Sequence, residues 1–228
     1  CTIEMIKVNF YRVLILKNRV YNSWPILLGE FFNPDHINIK HDLIKYFYEY
    51  KELNPNINPV KGEAAPSNLY RSQYDLHIEK NPAYLKLLTF FSKCFIEMSS
   101  RSNYQYIEQD KVKPNFNVNI QSSWFIIYEK GGFVLPHHHG NCSWCCVYYL
   151  QCDKNITADN GSTYIMRPYL SQTSKDFGGK VHGEGAKYFK PEEGKMLVWP
   201  NFLYHGSTPY YGDNKRIIVS ANSQIMKV

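Results

Sequence analysis

Three consecutive histidines, in Pro136-His137-His138-His139-Gly140-Asn141, are the residues of this sequence best suited to chemistry. On a strand, successive side chains point to opposite faces, so His137 and His139 can converge while His138 turns away. Neutral imidazole is a good ligand for iron, copper, nickel and zinc, and two such rings on one β-face supply half of a metal site. His138 takes the place of His137 if the strand is irregular there, and a surface histidine tract is the bland alternative. A further histidine, His205, follows a β-rich run in Trp199-Pro200-Asn201-Phe202-Leu203-Tyr204-His205-Gly206, and a jelly-roll chain can bring it beside the first group. Downstream, Arg216 opens the apolar run Arg216-Ile217-Ile218-Val219-Ser220. It reads equally as an exposed cation at a strand end and as a planar, two-pronged clamp for a carboxylate.

The cysteines offer a rival chemistry. Cys142 and Cys145 have the C-x-x-C spacing of half a zinc site, but structural zinc sites draw paired ligands from two hairpins and no second pair follows. Cys145 and Cys146 lie in the apolar run 144–150, where free cysteine packs as a small hydrophobe, so core packing is the expectation, with zinc binding and redox sensing as alternatives.

The elements that must position these groups are legible in outline. Apolar residues at 13–16 and 24–28 read as one or two strands with a turn near Asn22 and Ser23. Residues 37–52 have helical spacing at Ile39, Leu43, Phe47 and Tyr50, and 53–69 read as a long loop. A second helix starts at Asn81-Pro82, with Asn81 as its cap, and carries Leu87, Leu88, Phe91, Cys94, Phe95 and Met98 on one face. After residue 113 short β-rich runs at 124–128, 133–135, 144–150, 164–166, 196–199 and 216–220 alternate with turns such as Gly131-Gly132, Asn160-Gly161 and Gly212-Asp213. The expected architecture is mainly β with flanking helices. One domain spans 1–228, with supporting strands and helices in 1–112 and a jelly-roll core in 113–228.

The 228 residues, 44% hydrophobic and 20% charged, suit a globular chain with a sizeable core. The net charge of +6 is scattered rather than clustered, which argues against nucleic acid as a partner. No signal peptide and no membrane-spanning apolar run are visible, so a reduced, cytoplasmic setting is expected.

Taken in order, these motifs resemble the 2-oxoglutarate/Fe(II) oxygenases, and more narrowly the members of that superfamily common in marine bacteria and their phages. The matching stretches are 136–141, Cys146-Val147-Tyr148-Tyr149-Leu150, Met166-Arg167-Pro168, 191–199, 205–209 and 216–222, within a region of about 121–224. The resemblance implies a double-stranded β-helix barrel with Fe(II) held by His137, His139 and His205. It implies Arg216 on the far carboxylate of 2-oxoglutarate, with Tyr149 and Tyr128, as in prolyl hydroxylases, beside the same cosubstrate. The reaction implied is oxidative decarboxylation of 2-oxoglutarate coupled to hydroxylation, with no catalytic residue needed beyond the metal centre. Two positions depart from the pattern. His139 stands where most of the superfamily has Asp. Ile218 stands where a Ser is frequent, and Ser220 or Asn222, on the same strand face, can substitute. A three-histidine cupin enzyme without 2-oxoglutarate and a non-catalytic jelly-roll binding protein are the alternatives, and the direction of Arg216 discriminates between the first two. The substrate, a small molecule or a protein side chain, is not named by the sequence. Segments 53–75 and 169–190 would select it, the second being a lid or a plain surface loop. The oligomeric state is open, a homodimer included.

Overall fold

The computed structural model describes residues 26–55, 68–104, 115–154, 156–157, 159–168 and 185–227. The expected strand at 13–16, its turn, and most of the two selecting loops lie outside these residues. The first described strand, β1 (Gly29–Phe32), begins just after the apolar run at 26–28, which itself forms no strand.

Two helices follow the sequence pattern closely. Helix α1 (His36–Leu53) buries Ile39, Leu43 and Phe47, and α2 (Pro82–Ser102) buries the expected face from Leu87 to Met98. Asn81 caps α2, its side-chain oxygen accepting from Ala83 N (3.0 Å) and Tyr84 N (3.1 Å). Removing these two acceptor contacts by Asn81→Ala is expected to cost about 1 kcal/mol. Urea unfolding checks this as a lower midpoint at unchanged slope.

The other strands are β2 (Leu69–Arg71), β3 (Phe116–Tyr128), β4 (Val134–His137), β5 (Trp144–Gln151), β6 (Thr163–Met166), β7 (Ala186–Phe189), β8 (Lys195–Pro200), β9 (His205–Ser207) and β10 (Arg216–Lys227). They form two antiparallel sheets, one ordered β1-β8-β5-β10-β3-β2 and a smaller one ordered β4-β9-β6-β7. Strands β2 and β7 fall where loops were expected. Both are short, and β7 is defined by pairing with β6 (Tyr164 opposite Tyr188) rather than by apolar alternation.

The larger sheet is buried on both faces, and the period of two sorts its side chains between two cores. Phe125, Ile127, Cys146, Tyr148, Met196, Val198, Ile217, Val219 and Ala221 pack under the helices. The alternate residues Trp124, Ile126, Tyr128, Cys145, Val147, Tyr149, Leu197, Trp199 and Ile218 face the smaller sheet. Phe47 of α1 stacks on Phe125, with ring centroids 4.1 Å apart. Polar tips in the helix-side core are satisfied: Tyr84 donates to Ser123 Oγ and Trp144 Nε1 to Ser99 Oγ, each at 2.8 Å. The helices thus brace the sheet from outside and leave its inner face to the site. Among the described residues no helix is long and apolar enough to cross a membrane.

Candidate metal centre

Strands β4 and β9 are neighbours, and their register sets His137 directly opposite His205. Position 206 must be glycine for β9 to lie this close: a Cβ there would meet Tyr164 Oη at 2.6 Å and Val134 O at 2.7 Å. His139 enters from the turn after β4, where its backbone N–H donates to Asn201 O (3.1 Å). The rings of His137 and His205 have centroids 4.3 Å apart, those of His137 and His139 5.2 Å, and those of His139 and His205 4.9 Å. One ligand nitrogen from each lies within 4.8 Å of the others. His138 stays out of the cluster: it is exposed where it lines the same cavity, its ring edge-on to Tyr204. Among the described residues no carboxylate joins the cluster.

The second nitrogen of each ring fixes what the cluster can do. Nδ1 of His137 lies 2.9 Å from Leu135 O, Nδ1 of His139 2.6 Å from Asn222 Oδ1, and Nδ1 of His205 3.0 Å from Leu203 O. Each of these oxygens accepts, so each Nδ1 donates and each Nε2 carries the ring's acceptor lone pair. Trp199 Nε1 also points at His205 Nδ1 (3.2 Å), a contact that competes with Leu203 for that nitrogen and would place the proton on Nε2. With all three Nδ1–H bonds made, lone pairs converge: Nε2 of His139 and Nε2 of His205 are 3.2 Å apart. Such an arrangement is repulsive until a cation sits among the nitrogens. Protons are poor candidates at neutral pH, because burial, and then the neighbouring His137 and His139, hold His205 well below the usual histidine value. Trp124 stacks beside His139 (5.8 Å, 23°) and Trp199 beside His205 (4.6 Å), walling the cluster with apolar surface.

Arg216, Ile218, Ser220 and Asn222 project from one face of β10 into a cavity of about 830 Å³ that the three histidines also line. Arg216 is 0% exposed. Its guanidinium lies over the Tyr128 ring (4.3 Å) and near that of Tyr149 (5.5 Å). Nη2 reaches Thr163 Oγ1 at 3.5 Å, while Nε and Nη1 have no partner among the described residues. A fully buried cation without an anion is costly, and two free prongs of a planar fork match a carboxylate. Tyr149 does not itself line the cavity. Its hydroxyl donates to Thr163 Oγ1 (2.7 Å), and burial pushes its phenol up to about 12 against the opposing pull of Arg216.

The structure therefore gathers His137, His139, His205, Arg216, Tyr128 and Ser220 around one cavity, with Tyr149 one residue behind it. Thr163, Trp124 and Trp199 complete the site and were not singled out from the sequence. Nothing in the spacing marks Thr163, whereas both tryptophans fall on inward positions of their strands and could have been found by alternation.

Residues 122–222 match the model of a family described as "Putative 2OG-Fe(II) oxygenase". No protein of curated function matches the chain. Among solved structures, a prolyl-4-hydroxylase from Pseudomonas putida is similar at TM-score 0.53 and 12% identity, over 86% of this chain and 91% of that one. A prolyl hydroxylase from Trichoplax adhaerens, in complex with a peptide of the hypoxia inducible factor oxygen degradation domain, gives TM-score 0.53 and 12% identity over 86% and 83%. HygX from Streptomyces hygroscopicus, with nickel and 2-oxoglutarate bound, gives 0.51 and 10% over 87% and 82%. At these identities the likeness is one of fold, and the fold is the double-stranded β-helix.

Proposed function

We propose that this chain, whose residues 122–222 match the 2OG-Fe(II) oxygenase family, uses His137, His139 and His205 to hold Fe(II) and Arg216 to hold the far carboxylate of 2-oxoglutarate. The observation that carries the reading is Arg216: a buried, unpaired cation pointing into the same cavity as three converging imidazoles. That direction favours the oxygenase over a three-histidine enzyme without 2-oxoglutarate, for which the guanidinium would have no anion to meet. When bound, iron with 2-oxoglutarate and O₂ supplies oxidative decarboxylation of the cosubstrate coupled to hydroxylation of a substrate C–H bond.

The chain's own residues prepare for this. Leu135 O, Asn222 Oδ1 and Leu203 O orient the three rings so that each offers Nε2. Three neutral ligands leave the metal's full charge in place, where the usual carboxylate would cancel part of it. The Arg216 fork fixes one end of the dicarboxylate, with Ser220 on the same strand face as a further hydroxyl. Trp124, Ile126 and Ile218 keep the inner wall apolar and exclude water. The two N-terminal helices and the barrel act as one domain in this reading, the helices being the brace. At the cavity mouth Arg71 lies over the Tyr74 ring (4.6 Å), and Tyr74 stands edge-on to Trp124 (4.8 Å). This wall receives the substrate, a small molecule or a protein side chain.

The test is an anaerobic titration of the apoprotein with Fe(II) and then 2-oxoglutarate. A weak visible charge-transfer band that saturates with the cosubstrate is expected. Bound iron without any such band would favour the enzyme that does not use 2-oxoglutarate.

A further inference from the structure

Beside His139 lies a second cluster of ligand atoms. Cys142 Sγ and Cys145 Sγ are 3.6 Å apart, and a ring nitrogen of His139 lies with both sulfurs inside a 4.8 Å group. Neither cysteine lines the cavity. Two thiolates on a tetrahedral ion at about 2.3 Å each stand about 3.8 Å apart, whereas a disulfide requires about 2.05 Å. The observed spacing is that of two ligands.

The cluster is held by its surroundings. Cys142 sits in the turn between β4 and β5, where its backbone N–H donates to Gly140 O (2.9 Å) and Asn201 Nδ2 donates to the same carbonyl (2.6 Å). Cys145 lies on β5, opposite Trp199 on one side and Asn222 on the other. The short pair missing from the C-x-x-C pattern is thus supplied by one histidine brought across by the turn. The Cys145 thiol hydrogen-bonds to Cys142, which holds Cys142 below the usual thiol value, while burial pushes Cys145 up.

We propose that Cys142, Cys145 and His139 form a second cation site, selective for thiophilic ions such as Zn²⁺ or Cu⁺. Two thiolates and an imidazole are the donor set such ions prefer, and hard cations such as Mg²⁺ avoid it. Binding a divalent ion releases both thiol protons and leaves a fourth position for water or Asn222 Oδ1. The site does not depend on the iron reading, but one consequence does. His139 turns Nε2 toward His205 and Nδ1 toward Asn222, whose strand partner is Cys145, so the thiols approach the ring from its Nδ1 edge. An ion taking Nδ1 leaves the ring's proton on Nε2, and the iron centre loses one of its three ligands. Thiophilic metal and iron are therefore antagonists at His139.

The experiment is an anaerobic titration of the reduced, full chain with Co²⁺, read by the near-ultraviolet sulfur-to-cobalt charge-transfer absorption. The wild type is expected to saturate at a stoichiometric equivalent. Cys142→Ser, in a half-buried turn, is expected to lose the absorption at least tenfold, and Cys145→Ala likewise. His205→Ala keeps it, since that residue belongs to the other cluster alone. At equal prior Zn²⁺ the iron–2-oxoglutarate band is expected to be suppressed more strongly in the wild type than in Cys142→Ser, where Zn²⁺ competes only at the three-histidine cluster. Absence of the sulfur band in the wild type, or its persistence in Cys142→Ser, would overturn the site. A sulfur band with no iron–2-oxoglutarate band in any protein would instead overturn the oxygenase reading and leave the second site standing.

Discussion

An Arg216→Met variant folds at least as stably as the wild type without ligand, and gains little from 2-oxoglutarate. In the free protein Arg216 is fully buried with two N–H-bearing nitrogens unpartnered among the described residues, offset there by its stacking on Tyr128 and Tyr149 and a long contact to Thr163. Cation–π stacking of a desolvated cation is worth about 2 kcal/mol, and burying an uncompensated ion costs several. A flexible apolar chain of similar length removes the larger of the two terms. With ligand the sign reverses. Losing a bidentate, charge-assisted pair raises half-saturation by roughly 10²-fold, or about 2.7 kcal/mol. Thermal melts with and without 2-oxoglutarate read both halves. At about 100 times its Kd the ligand stabilises the wild type by about 2.7 kcal/mol. For a chain of this size that is a rise of about 5–10 °C, and the variant, then at about its own Kd, is expected to show only about 1 °C. An unliganded variant that melts several degrees lower would make Arg216 a structural member of the core and remove the main support for cosubstrate binding. Arg216→Lys is not expected to rescue, because a point charge lacks the planar fork.

His205→Ala is expected to abolish iron binding. Outer partners of a metal site are typically worth about 10–100-fold in affinity, and a direct ligand more. His205 is also the most enclosed of the three, 6% exposed, and it faces both other rings. With it gone, His137 and His139 remain as a two-point chelate on the rim. Iron content after anaerobic dialysis measures this directly, and His205→Gln, which fills more of the space beside Trp199, controls for local collapse. Iron retained at wild-type affinity by both variants would mean that the three nitrogens do not form the centre.

Sequence pattern reached different parts of this molecule unequally. The face of α2 and the alternation of Arg216, Ile218, Ser220 and Asn222 were legible because long elements repeat their period several times. Strand β9 was not, since His205, Gly206 and Ser207 are too few to show a period and are held by pairing with β4 and β6. The polar first half of β3 was also invisible. Asn117, Asn119 and Ser122 resemble loop residues, yet they pair with the end of β10. In the site, histidine and arginine announce themselves by type. The groups that aim them do so through carbonyls of Leu135 and Leu203, which any residue type could supply. The cysteine pair looked incomplete because its third ligand precedes it in the sequence and reaches it only through the turn at 140–143.

Strand β10 pairs with β3 from Arg216 through Asn222, and with β5 from Ile217 through Asn222 with a register shift between Ile217 and Ile218. At about 3.4 Å per residue those two Cα positions stand about 20 Å apart along a backbone held by this pairing. One end of this span steers a metal ligand through Asn222, and the other carries the guanidinium. The backbone spacing between the two ends of the site is therefore written into the pairing of one strand, and changing it would mean re-registering the sheet.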